Sequence, residues 1–179
     1  ATGLKTGFYS SPFLVSFFER WRINAAPIGE QAYLEAIQKV IAVEAEVEKQ
    51  TGVRPTYFEV LTAVALLIFV EQDCDIVIWE TGMGGRLDAT NIVDPLLTII
   101  TNISEDHSAY LGDTLLEVAG EKAGIIKEGI PLVCGETKPE IKSFFAGRAA
   151  ELQCEAFFIE EDFKVTQNED DTLCYQAEL

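Results

Sequence analysis

Histidine is nearly absent from this sequence: His107 is the one imidazole in 179 residues. Serine-nucleophile chemistry therefore has little to build on, because Ser10 and Ser11 lack a G-x-S-x-G setting and one histidine would have to fill every role. Positive charge is scarce too, with 13 Lys and Arg against 30 Asp and Glu and a formal charge of −17. Such a surface repels nucleic acid and anionic membranes at long range, so neither is expected as a partner. An anionic small ligand held by Mg²⁺ and local donors is still compatible with it. Cys74, Cys134, Cys154 and Cys174 form no C-x-x-C pair. That leaves a zinc site without support and fits reduced thiols in a cytoplasmic protein. The longest apolar run, Val60 to Val70, has eleven residues, too few to span a bilayer. No signal peptide is expected from these residues, and they contain no G-x-x-x-x-G-K-[ST] and no initiator Met. Ala1 to Lys5 read like the last turn of a helix closed by Gly7.

What is present is an alternation of short apolar runs and helical stretches. GFYSS is strand-like. Glu30 to Gln50 reads as a helix with Leu34, Ile37, Ile41 and Ala45 on one stripe and Gly52 as its stop. Thr56 and Glu59 have capping-box spacing and open a nearly all-apolar helix, which belongs against a sheet. Strands DIVIWE and LLTIIT follow, then a helix opened by Thr114 and Glu117, strand PLVCG, a helix over Pro139 to Leu152, and strand AFFIE. FKV and LCYQ read as a hairpin around Asn168 to Asp171. The order predicts an α/β protein with three α/β/α layers, a mostly parallel sheet and a small β hairpin at the C-terminal end. A composition shift near Glu160 predicts one domain over residues 1–160 and the start of a small β subdomain over 161–179, where the acids Glu160 to Asp162 and Glu169 to Asp171 read as a solvated face.

The unusual polar residues recur just after strands, where doubly wound sheets bind ligands. Ser10 and Ser11 follow the first. Glu80 ends the second and is followed by Gly82, Gly84 and Gly85, then Arg86, Asp88 and Asn91. Glu80 reads either as a hard-oxygen ligand for Mg²⁺ or as a carboxylate paired with Arg86 or capping the next turn. The glycines permit close backbone approach to a ligand, although G-x-G-G is not the dinucleotide fingerprint, since Leu87 stands at its sixth position. Thr101, Asn102, Asp106 and His107 follow the third strand. His107 reads as a metal ligand oriented by Asp106 or as an inert loop histidine. Lys122 reads as a solvated or carbonyl-capping lysine, or as one half buried by AGII with altered reactivity.

Four stretches taken together resemble the folylpolyglutamate synthase/dihydrofolate synthase family of Mur-type ligases: SSPFLVSFFERWRIN, TYFEVLTAVAL, WETGMGGRLDATN and TNISEDHSAYLGDTLLEVAGEKAGIIKEGIPLV. The resemblance runs in order from Gly3 to Gly135 and implies an ATP-dependent amide ligase that joins L-glutamate to folate or dihydropteroate through an acyl phosphate, with two Mg²⁺ sites neutralising phosphate charge. It implies Glu80 and His107 as metal ligands and Lys122 as a lysine carried as a carbamate. Thr56, Phe58, Asp88 and Ala89 match positions that contact the pterin, and Ser10, Ser11 and Pro12 match a substrate-side loop.

The departures are Phe13, where the family reads S-P-H-L, and Phe18, where it reads N-E-R. The family's T-G-T-N-G-K-G-S phosphate loop and its C-terminal domain do not occur in these 179 residues. The chain thus reads as an internal part of the ATPase domain, inactive by itself and inclined to self-associate through uncovered apolar sheet. The alternatives are a shortened, non-catalytic pterin- or partner-binding protein and a Mur-type ligase acting on cell-wall precursors. The GGRLDATN and SSPFL stretches favour folate over the latter.

Overall fold

The structure, a computed structural model, describes residues 3–104, 112–168 and 171–177. It divides into two compact units, Ala1–Met83 with Asp88–Ile92, and Gly84–Leu87 with Val93–Leu179.

The first unit holds β1 (Thr6–Tyr9), β2 (Trp21–Ile23), β3 (Ala26–Pro27), α1 (Glu30–Thr51), α2 (Tyr57–Glu71) and β4 (Ile76–Trp79). Its sheet runs β3-β2-β1-β4, antiparallel through β1 and parallel between β1 and β4. Gly7 sits inside β1 rather than closing a helix. A Cβ there would lie 2.8 Å from the Phe69 ring, so glycine lets α2 press against the strand. Thr56 caps α2 as its spacing predicts: its hydroxyl accepts from Glu59 N–H and the Glu59 carboxylate accepts from Thr56 N–H at 2.6 Å. Leu61, Val64, Ala65, Ile68 and Phe69 of α2 are buried with Tyr9 and Trp21, and each large apolar side chain among them stabilises the fold by about 1.5–3 kcal/mol. α1 ends at Gly52, φ 72°, as expected. Its buried side, however, is Ala36 with Tyr33, Ile37 and Val40, while Leu34 and Ile41 are exposed. The aromatic surface of Trp21 and Phe17, 5.2 and 5.3 Å from the Tyr33 ring, selects that side.

The second unit holds β5 (Thr98–Ile100), α3 (Leu115–Ala123), β6 (Leu132–Cys134), α4 (Pro139–Glu151), β7 (Ala156–Phe158), β8 (Phe163–Gln167) and β9 (Leu173–Ala177). β5, β6 and β7 form a parallel sheet, and β8 and β9 form the predicted hairpin. Ile100, Leu132, Cys134 and Phe158 pack with Val118 and Ala119 of α3 and with Ile141 and Phe145 of α4. Thr114 caps α3 in a second capping box with Glu117. The acidic turn before the hairpin is not merely solvated, since Asp162 accepts from Phe158 N–H and Glu161 pairs with Lys142 at 2.6 Å. The α/β class, the parallel strands and the hairpin are as the sequence predicts. The strands lie in three separate sheets among the described residues, and the β1-β2-β3 meander was not read from the sequence. In each unit an apolar residue of a parallel strand is left open, Ile78 in β4 and Ile99 in β5.

Candidate functional site

In the first unit two parallel strands end side by side. Tyr9 pairs with Trp79, so Glu80 N–H reaches Tyr9 O at 3.0 Å and Ser11 N–H reaches Glu80 Oε2 at 3.0 Å. Ser10 N–H donates to Arg20 O, and the Ser11–Pro12 peptide is cis. Glu80 is exposed, and Ser11 N–H is the one donor to its carboxylate among the described residues. One oxygen is therefore fixed by backbone and the other is open. That chemistry suits a hard divalent cation, which takes one or two carboxylates along with water and phosphate oxygens. It is a single carboxylate rather than a cage: no group of three or more His, Cys, Asp or Glu that could hold an ion occurs among the described residues. His107 lies outside them, as does Asp106.

The bare backbone after Glu80 has a packing cause. A Cβ on Gly82 would clash with the Phe58 ring and come within 3.1 Å of Asp88 Oδ2, and Gly84 has φ 67°. Asp88 organises this loop: Oδ2 accepts from Met83 N–H at 2.8 Å, and Oδ1 accepts from both the N–H and the hydroxyl of Thr90. The Trp79 indole N–H donates to Thr90 O at 2.9 Å. A ligand that seeks the Asp88 carboxylate must therefore share it with three internal donors. Phe58 is half-buried and stacks on Tyr9, 6.3 Å between centroids, while Thr56 caps its helix and Ala89 opens the short turn Ala89–Ile92. Phe58, Gly82, Asp88 and Ala89 thus form one patch. Burial holds the Tyr9 phenol beneath it above its ordinary pKa, against the opposing effects of the Thr62 hydrogen bond and the Arg20 charge.

In the second unit, Gly85 and Arg86 close the end of α3. A Cβ on Gly85 would lie 2.7 Å from Glu121 O. Arg86 N–H donates to that carbonyl at 2.8 Å, and its guanidinium pairs with the Glu121 carboxylate at 2.9 Å, a cation at a helix C-terminus. Lys122 stands in the same last turn, half-buried, with no partner for its ammonium among the described residues. At the β5 and β6 ends, Gly135 N–H reaches Ile100 O at 2.8 Å. Thr101, Asn102 and Gly135 rim an open depression of about 440 Å³ floored by Ile99, Val133 and Phe163.

Two groups escaped the sequence reading. Glu136 follows β6 as Glu80 follows β4, but it is 1% exposed. Its Oε2 accepts from Ile103 N–H, and its Oε1 from the N–H groups of Thr137 and Lys138, all at 2.8 Å. Lys138 Nζ lies 3.4 Å from it and donates to Ile103 O at 2.7 Å. Burial pushes the Glu136 pKa up, yet the three N–H donors and the Lys138 charge together hold it below the ordinary value. The signal was legible as V-C-G-E beside I-W-E-T-G. Arg20, the other, is charged and buried within an aromatic run, which sequence patterning reads as surface.

The Mur ligase middle domain family matches residues 30–168, and the chain belongs to it. The dihydrofolate synthase/folylpolyglutamate synthase of Bacillus subtilis (strain 168) is 48% identical over 140 residues, covering 77% of this chain and 32% of that protein. An FPGS–AMPPCP–folate complex superposes with a TM-score of 0.91 at 32% identity, over 98% of this chain and 44% of the other. A bifunctional folylpolyglutamate synthase/dihydrofolate synthase with Mn, AMPPNP and L-glutamate bound gives a TM-score of 0.81 at 36% identity, over 98% and 40%. The chain spans about a third of the length of the curated relatives it matches. No helix among the described residues is long and apolar enough to cross a membrane.

Proposed function

We propose that this chain is the central part of an ATP-dependent ligase that adds L-glutamate to tetrahydrofolate, to dihydropteroate, or to both. The observation that carries the reading is the open oxygen of Glu80 at the joined tips of β1 and β4, in a chain whose relatives bear folate-ligase names. In the reaction, a folate-type carboxylate oxygen attacks the γ-phosphorus of ATP and ADP leaves, giving an acyl phosphate. The glutamate amine then attacks the acyl carbon, the amide C–N bond forms, phosphate departs, and the amine proton passes to solvent.

Divalent cations, Mg²⁺ in this reading, supply neutralisation of phosphate charge when bound. Glu80 and His107 would hold them. Lys122, on the last turn of α3 with no partner for its nitrogen among the described residues, would react with CO₂ to give a carbamate and so add negative charge. Phe58, Ala89 and the loop shaped by Asp88 would face the pterin, with Thr56 at the head of the same helix, and the turn Ser10 to Pro12 would border the substrate. Relatives about three times as long supply further segments, and no G-x-x-x-x-G-K-[ST] occurs here. The 179 residues alone are accordingly expected to be inactive, and their open apolar strands to favour self-association.

The test is a full-length protein carrying this chain, incubated with ATP, Mg²⁺, L-glutamate and either tetrahydrofolate or dihydropteroate. Stoichiometric ADP, phosphate and a product one glutamate longer are expected. Pterin binding without glutamate-dependent ADP release would overturn the ligase reading in favour of a non-catalytic binding protein.

A further inference from the structure

Arg20 is buried, 9% exposed, at the end of the 3-10 turn Phe17–Arg20. Its Nε is sealed from solvent without a hydrogen-bond partner, and the guanidinium has no hydrogen bond or ion pair among the described residues. A buried charge left unpaired is strongly unfavourable, and native structures keep one only where something else compensates it. The adjacent acid does not. The Glu19 carboxylate is committed to the N–H groups of Leu14, Val15 and Ser16, which hold it below its ordinary pKa. Among the described residues the compensating neighbour of the guanidinium is the Phe13 ring, 5.3 Å from Arg20 Cζ, a cation–π contact weaker than a hydrogen-bonded ion pair.

The surroundings have a direction. Glu19 clamps the loop between β1 and the 3-10 turn into a fixed shape, and that loop exposes Phe13 at 42%, Leu14 at 89% and Val15 at 88%. An exposed apolar tip whose Phe13 ring faces a guanidinium with no anion among the described residues describes a receiver for a molecule with an apolar body and an oxyanion. Guanidinium matches carboxylate and phosphate oxygens in a two-point fork, which lysine cannot do.

We infer that Arg20 is an anion-binding residue of the loop following β1: Phe13 covers the guanidinium in the empty state, and the carboxylate of an aromatic acid takes its place on binding. The inference deepens the ligase reading at its substrate-side loop and rests on it only for that choice of acid. The same guanidinium chemistry would accept a phosphate oxygen, and the experiment separates the two sources.

The test is titration of the protein with 4-acetamidobenzoate and, separately, with inorganic phosphate. Fluorescence of Trp21 is the readout, since that residue adjoins Arg20 in sequence and packs edge-on against Phe17 and at a tilt against Tyr33. Saturable binding of the aromatic acid is expected, with Kd raised at least tenfold in Arg20→Met and only partly restored in Arg20→Lys. Saturation by phosphate with the same dependence on Arg20 would keep the anion site and reassign its ligand. Binding of neither probe to the wild-type protein would overturn the inference and make Arg20 a packing residue, as would binding unchanged in a folded Arg20→Met. Should Arg20→Met fail to fold, the wild-type titration and Arg20→Lys still decide. Because binding alone is read, failure here is distinct from failure of glutamate ligation.

Discussion

Two glutamates stand at the tips of parallel strands, Glu80 after β4 and Glu136 after β6, and their surroundings are opposite. Glu136 is sealed and fully engaged, holding the turn after β6 and the backbone at Ile103 with three N–H groups and Lys138. Glu80 is exposed and half engaged, with one oxygen on Ser11 N–H and the other without a donor among the described residues. The difference teaches that an acid at a strand end is not a site by position. Saturation by the protein's own donors makes it architecture, and a lone pair left over leaves it able to take a cation. Asp88, with three internal donors, stands nearer Glu136 than Glu80 on this scale.

The contrast can be broken in order of expected effect. Glu136→Ala strands three N–H groups and removes the ion-pair partner of Lys138, so it is expected to cost about 3 kcal/mol in urea unfolding; a loss no larger than that of Glu80→Ala would erase the distinction. The same residue sets an acid signature. Its folded pKa is depressed, so its stabilisation is fully present above the ordinary glutamate value of about 4.3 and is lost as pH falls through the folded value. Glu136→Gln should flatten the fall of stability with pH below about 4.3, and an unchanged slope would assign the acid sensitivity elsewhere.

Gly82→Ala drives a methyl into the Phe58 ring and is expected to cost about 2 kcal/mol as overpacking, measured by thermal unfolding. Asp88→Ala frees the donors of Met83 and Thr90 at a partly exposed site and should cost about 1 kcal/mol. Glu80→Gln, at the bottom of the series, should leave stability within about 0.5 kcal/mol of wild type. A large loss there would show that Glu80 too is architecture.

Much of this was legible in the sequence because local chemistry decides it. The boxes at Thr56 and Thr114, the Gly52 stop and the hairpin after Asp162 depend on neighbours within a few residues. The buried side of α1 is not legible in the sequence because that helix has two apolar stripes, and only the rings of Phe17 and Trp21 choose between them. Gly7 reads as a helix stop because a glycine that admits a distant phenylalanine looks the same in sequence as one that ends a turn. At the site, Glu80 stood out through the glycines behind it. The engagement of Asp88, the sealing of Glu136 and the unpaired charge of Arg20 all require knowing which backbone N–H groups come near, and composition does not report that.

Mn²⁺ affinity tests most directly whether the open oxygen of Glu80 takes a cation. Titration of the full-length protein and its Glu80→Gln variant with Mn²⁺, in the presence of a non-hydrolysable ATP analogue, should show affinity reduced at least tenfold in the variant, with unfolding unchanged. Equal Mn²⁺ affinity in the two proteins would contradict the account and leave Glu80 as a tie between β1 and β4.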